Sequence, residues 1–302
     1  MHTIQEFESK SLKNRINITR NKSSILFLVL GGFFITNALI AEFMGVKIFS
    51  LERTLGQDPI SFSLLGESGL AFNLSAGVLL WPVVFILTDV INEYYGRRGV
   101  RFLTYLTLGL IGYAFLMYYM AINLPPADFW TSAHFSGIED EAERAAVQEK
   151  VGNYDYAFRL VFGQGLWIII ASMTAFLIGQ ITDVIVFHRI KKWTGEKKIW
   201  LRATGSTLIS QFIDTFTVLF IAFYIGASWS LATVLAICIF QYSYKFLVAV
   251  CMTPIIYLAH HWIDRYLGKD MAERMKKQAA ISSVAPLFSF KKRESLERHF
   301  VK

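Results

Sequence analysis

Cysteine, clustered metal ligands and charge are all scarce in this 302-residue sequence, and each shortage removes a class of function. The two cysteines, Cys238 and Cys251, fall in one apolar stretch. On a single helix they stand about 20 Å apart, too far to bridge, which argues against redox chemistry. The six histidines are scattered, and His260-His261 has no companion ligands, so no metal site is expected. No Gly-x-x-x-x-Gly-Lys loop is present, so ATP-driven work would have to come from another subunit. No stretch reads as a soluble catalytic domain or a cofactor fold. Charged residues make up 18% of the chain against 54% hydrophobic residues, which places it in the membrane class. No cleavable signal peptide is evident, because the polar start and the first apolar run are both too long.

What is present is a set of long apolar runs. The expected fold is all-α and polytopic, with six transmembrane helices: Ser24–Gly45, Gly69–Tyr95, Phe102–Leu124, Arg159–His188, Thr204–Gly226 and Ser230–His260. Residues 1–23 form an N-terminal tail, 24–260 the six-helix domain and 261–302 a basic C-terminal tail with a helix around Asp264–Gln278. With both termini in the cytoplasm, inner segments carry 24 Lys or Arg and outer ones 5. That asymmetry follows the positive-inside rule and accounts for the net charge of +7 without nucleic acid. The outer loop Pro125–Asp155 is acidic, and Ile138–Val151 within it has the composition of a short amphipathic helix.

Three polar clusters interrupt the apolar runs: Thr88-Asp89 with Asn92-Glu93, Gln180 with Asp183, and Gln211 with Asp214. A carboxylate at membrane depth costs about 2.5–3.5 kcal/mol or more, so it lines a pathway or finds a partner. At about 1.5 Å per residue, Asp89, Asp183, Asp214 and Lys245 all fall ~8–12 Å from the cytoplasmic side. Each amide shares a helix face with its carboxylate at i, i+3. A surplus of carboxylates suits a ligand rich in N–H donors, a cation or a proton, and does not suit an anion. Structural readings stand beside these. Glu93 with Arg97 reads as an ion pair at the membrane boundary, and Asp214 with Lys245 reads equally as a helix-to-helix tie. Asp183 has Arg189 or Lys192 within reach, Asn37 reads as helix glue or ligand, and Glu42 reads as solvated at the outer rim. Phe85 and Tyr244 read as core packing before stacking platforms. Thr-Asp-Val recurs at residues 88–90 and 182–184, but both copies end on one side, against an inverted repeat.

At these residues the chain resembles the six-span bacterial queuosine precursor transporters, formerly grouped with vitamin uptake transporters. The matching text is Trp81-Pro-Val-Val-Phe-Ile-Leu-Thr-Asp89 into Ile91-Asn-Glu-Tyr-Tyr-Gly96, then Ile178-Gly-Gln-Ile-Thr-Asp-Val-Ile-Val-Phe187. Trp200-Leu-Arg202, Gly205-Ser-Thr207, Asp214-Thr215, Ile221-Ala-Phe223 and Tyr242-Ser-Tyr-Lys245 follow in order. The resemblance covers about residues 25–260. It implies uptake of the 7-deazaguanine bases preQ0 or preQ1 across the bacterial inner membrane, for salvage into tRNA. A guanine-like edge offers N1–H and an exocyclic amine, which one carboxylate accepts together. The implied substrate-binding set is Asn37, Asp89, Gln180, Asp183, Gln211, Asp214 and Lys245. Asp183 or Asp214 takes the base edge, Gln180 or Asn37 reads a carbonyl, Asp89 binds or gates, and Lys245 balances charge. Asn92, Glu93, Phe85 and Tyr244 are gating or packing candidates.

Two further function classes compete. One is a substrate-binding subunit of an energy-coupling uptake complex, separable by whether transport survives without an ATPase partner. Ala38 and Ala41 do not clearly form the docking surface such a subunit uses. The other, an intramembrane enzyme, needs a nucleophile or metal that the sequence does not offer, and a channel fits less well still. The expected partners are the base and the lipid bilayer, with no nucleic acid and no required ATPase; a homo-oligomer is allowed but not specified.

Overall fold

The computed structural model describes residues 21–195 and 198–282. Residues 1–20 and 283–302, most of the expected N-terminal tail and the end of the C-terminal one, lie outside the described residues. Asn21 starts the first helix, α1 (Lys22–Met44), by accepting the Ser23 N–H at 3.1 Å. Its long apolar run has no polar face, as a helix surrounded by lipid and protein requires.

The segment after α1 contains, among the described residues, the strands of this mostly helical chain, two small antiparallel ladders. Strands β1 (Ile48–Ser50) and β4 (Asn73–Ser75) pair, as do β2 (Phe62–Leu64) and β3 (Glu67–Leu70). The Glu52 carboxylate pins this segment by accepting the Phe72 N–H at 2.8 Å and the Ser50 hydroxyl at 2.9 Å. The segment packs on the bundle, with the Phe72 ring 4.3 Å from that of Phe240.

Next comes α2 (Trp81–Ile122), which has Pro82 in its first turn and breaks at Gly96, where φ is +67° and ψ −172°. The two halves contact α1 in opposite senses. Trp81 lies near Gly77, itself against the Ala41 carbonyl, whereas Tyr95 packs on Phe27 and donates to the Ser23 carbonyl at 2.7 Å. Beyond the break, Phe102 lies near Phe27, and Phe115 and Tyr118 lie near Phe43. The chain therefore doubles back at Gly96, and the loop expected over residues 96–101 shrinks to one residue. This backbone conformation is open essentially to glycine alone and costs other residues about 1–3 kcal/mol. Gly96→Ala should lower the thermal midpoint of the detergent-solubilised protein by several degrees. An unchanged midpoint would show that the turn relaxes at no cost.

After Asp140-capped Glu141–Lys150, which matches the expected outer helix, and Tyr154–Phe162, helix α3 spans Leu166–Thr194. The expected start at Arg159 is displaced to Leu166 because the chain is not helical from Gly163 to Gly165. Helix α4 (Ile199–Leu219) continues into a wider-turned segment, Phe220–Ile225. The last expected span is divided at Met252 into α5 (Leu231–Cys251) and α6 (Thr253–Leu267), where Pro254 has no N–H to continue the ladder. Both cysteines are free thiols on α5.

Helix α7 (Lys269–Ser282) does not trail away from the bundle. Ala272 and Met275 join Ile263 and Leu267 against Val90 and Tyr94 of α2. Asp264 accepts from the Tyr94 hydroxyl at 2.7 Å and pairs with Lys276 at 2.9 Å. Burial pushes the Asp264 carboxyl up, but these two donors outweigh it and hold the group below its ordinary value. The main core joins Phe34 and Ala38 of α1 to Val84, Ile91, Val100 and Leu103 of α2 and Phe176 and Val184 of α3. Among the described residues, five helical segments are long and apolar enough to cross a membrane, and α2 is one of them.

Candidate functional site

The polar residues of α2, α3 and α4 meet in the interior. Thr88 donates to the Gln180 amide oxygen at 3.1 Å, and Asn92 Oδ1 lies 3.1 Å from His188 Nε2. Toward Gly96, Glu93 Oε1 is held by Lys191 Nζ at 3.1 Å and Arg202 Nη2 at 2.7 Å, and Arg202 also donates to the Gly195 carbonyl at 2.8 Å. The ion partners of Glu93 are thus Lys191 and Arg202, in place of the expected Arg97. A partner from the next turn of one helix can only brace that helix, whereas these two tie α2 to α3 and α4.

Farther from Gly96, helix α4 presents a row of hydroxyls to two buried carboxylates. Thr207 donates to Asp89 Oδ2 at 3.4 Å, and Ser210 donates to Asp183 Oδ1 at 3.1 Å. The second oxygen of each carboxylate, Asp89 Oδ1 and Asp183 Oδ2, has no hydrogen-bond partner. Asp183 takes a hydroxyl in place of Arg189 or Lys192. Two turns beyond Thr207 on α4, Asp214 Oδ2 pairs with Lys245 Nζ at 3.3 Å, and Lys245 donates to Thr215 at 2.8 Å. The Asp214–Lys245 tie between α4 and α5 is therefore present.

Asp89, Gln211 and Lys245 line one cavity between α2, α4, α5 and α6. Thr204 and Thr207 complete its polar wall; Trp81, Pro82, Phe85, Ile86, Val248, Ala249, Met252 and Ile256 supply apolar surface. Thr204, Thr207 and Gln211 follow at i, i+3 and i+7, so α4 offers one polar stripe to this space. Gln211 is buried and its amide oxygen has no partner.

The remaining candidates fall elsewhere. Gln180 is buried against Thr88, and Asp183 sits behind Asp89 and off the cavity wall. Asp214 packs beside Gly179, whose Cβ position lies 3.5 Å from the Asp214 Cβ. Asn37 turns back to its own helix and donates to the Phe33 carbonyl at 2.8 Å, so it neither ties a second helix nor lines the cavity. Phe85 lines the cavity, whereas Tyr244 does not. Glu42 is not solvated as expected; it is buried and accepts from the Ser172 hydroxyl, because α3 covers the end of α1 where it stands.

A family model described as "Putative vitamin uptake transporter" matches residues 75–259. The chain belongs to that family. It is accordingly a transporter and not an enzyme, and its apolar helices make it a multi-pass membrane protein. A "Probable queuosine precursor transporter" of Bacillus subtilis (strain 168) is 29% identical over 204 residues, covering 64% of this chain and 75% of the relative. A protein of the same description from Haemophilus influenzae is 26% identical, over 62% of this chain and 69% of its own length. The "Queuosine precursor transporter" of Escherichia coli (strain K12) is 27% identical, over 62% and 72%. No solved structure matches the chain.

Sequence reasoning gave Arg202, His188 and Lys191 no site role, and it passed over the hydroxyls of Ser206, Thr207 and Ser210. Arg202 and Gly205-Ser-Thr207 stood in the motifs of the resemblance, but which carboxylate each faces depends on how α4 is rotated against α2 and α3. The usable signal was the recurrence of small hydroxyl residues at three- and four-residue spacing in an apolar helix.

Proposed function

We propose that this transporter carries queuosine precursors, the 7-deazaguanine bases preQ0 and preQ1, inward across the bacterial inner membrane. The observation that carries the reading is the cavity in which Asp89 and Gln211 face apolar walls. Like small-molecule sites in general, it is mostly apolar with a few convergent polar groups. A flat bicyclic base rests between Phe85, Ile86 and the α5–α6 side chains. Its N1–H and exocyclic amine both reach the Asp89 carboxylate, and Gln211 and Lys245 meet the carbonyl edge. Asp214 supports this site from behind by fixing Lys245. The names of the three relatives support the same substrate class.

In this reading the reversal at Gly96 makes α2 cross the membrane twice, for six crossings with both termini in the cytoplasm. The chain works without a dedicated ATPase. The test uses bacteria that neither synthesise nor import the precursor, express this chain alone and receive preQ0 or preQ1 at low concentration. Queuosine should return to their tRNA. Its absence, with the protein present in the membrane, would overturn the autonomous-carrier reading and favour a subunit of an energy-coupling complex.

A further inference from the structure

Two carboxylates of the buried layer have no bond to a basic side chain, and they face the same helix. Asp183 is fully buried; Ser210 donates to one oxygen and the other, Oδ2, has no partner. Asp89 is buried too, with Thr207 on one oxygen and Oδ1 unpartnered. The hydroxyls that hold them, Thr207 and Ser210, stand one turn apart on α4, and Ser206 is buried one turn before Ser210 with its hydroxyl on the Ala203 carbonyl. The neighbouring bases are committed: Lys191 and Arg202 bind Glu93, and Lys245 binds Asp214 and Thr215. Two adjacent carboxylates at membrane depth call for positive charge from outside the protein. The N–H donors of a substrate solvate the Asp89 carboxylate, which lines the cavity. They do not reach Asp183, which is off the wall.

We propose that Asp183, the hydroxyls of Ser206 and Ser210 and the near oxygen of Asp89 bind a monovalent cation, sodium or a proton, whose inward movement drives uptake. The donors are all hard oxygens, which excludes a soft transition-metal ion. The groups facing Asp183 are few. α2 presents Asp89 and, beyond it, the neutralised Glu93; α4 presents Ser206 and Ser210; its own helix presents Gln180 and, two turns on, the committed Lys191. A cation at Asp183 removes the repulsion on Asp89 and readies it for substrate. By linkage the substrate must then tighten the cation equally.

The inference rests on the proposed uptake of a 7-deazaguanine base, and the experiment separates the two. The full chain, purified and reconstituted in vesicles, is given radiolabelled preQ0 or preQ1 under an inward sodium gradient, an inward proton gradient or neither, with counterflow measured alongside. One gradient should drive accumulation beyond equilibration and identify the cation. Substrate affinity of the purified protein should rise roughly tenfold with that cation. Asp183→Asn should remove both responses. Ser210→Ala keeps the carboxylate and serves if the first variant fails to insert; it should weaken the cation's apparent affinity. Counterflow with no response to either gradient, or a gradient response kept by Asp183→Asn, would overturn the inference and leave the transport reading standing. No counterflow would sink the substrate reading, and the inference with it.

Discussion

Asp89→Asn should lower precursor affinity by roughly two to three orders of magnitude while the protein still reaches the membrane. Among the described residues the carboxylate is the one acidic group on the cavity wall, and Oδ1 has no hydrogen-bond partner. Hydrogen bonds to a charged group contribute about 1.5–3 kcal/mol each, and a guanine-like edge delivers two together. About 1.4 kcal/mol corresponds to tenfold in affinity, which sets the expected size of the loss. The substitution keeps the shape but replaces one acceptor with a donor, which meets the substrate's own N–H groups head-on. Equilibrium binding to the purified variant is the measurement, with initial uptake rate as the second readout. A dissociation constant within a few-fold of the native protein would remove Asp89 from the substrate contact.

The second large effect concerns stability. Glu93→Gln should cost on the order of 3–5 kcal/mol, because it strips the shared negative charge from two buried cations. Arg202 is fully buried and Lys191 nearly so, and both reach the same Glu93 oxygen. The pairing joins three helices, α2, α3 and α4, next to the turn at Gly96. The expected result is a sharp fall in the thermal midpoint in detergent and poor recovery of monodisperse protein. Asn92, one residue before Glu93, offers the control: Asn92→Ala breaks a single contact with His188 and should cost far less. If the two variants unfold together near the native midpoint, the Glu93 network is not what holds that end of the bundle.

Much of this arrangement was legible in the chain itself. Apolar runs of membrane length with carboxylates inside them follow from the cost of placing charge in hydrocarbon, so their presence marks an interior polar layer before any packing is known. The Asp214–Lys245 tie followed from depth counting and opposite charge. The helix expected over Ile138–Val151 followed from its composition, and it is found over Glu141–Lys150. Other features were not readable. Whether Glu93 bonds within its helix or across to α3 and α4 depends on helix rotation. Glu42 sits too near a helix end for sequence to say whether water or α3 covers it. Asp183 and Asp89 carry the same Thr-Asp-Val text, yet one lines the cavity and the other is sealed behind it. The sequence by itself determined that polar groups are buried in a membrane bundle and named the acidic ones of the interior layer, because a carboxylate inside an apolar run is costly wherever the helix packs. Only the tertiary structure decided which carboxylate has a basic partner, which a hydroxyl and which open space. Those outcomes depend on distances of a few ångströms between helices far apart in the chain.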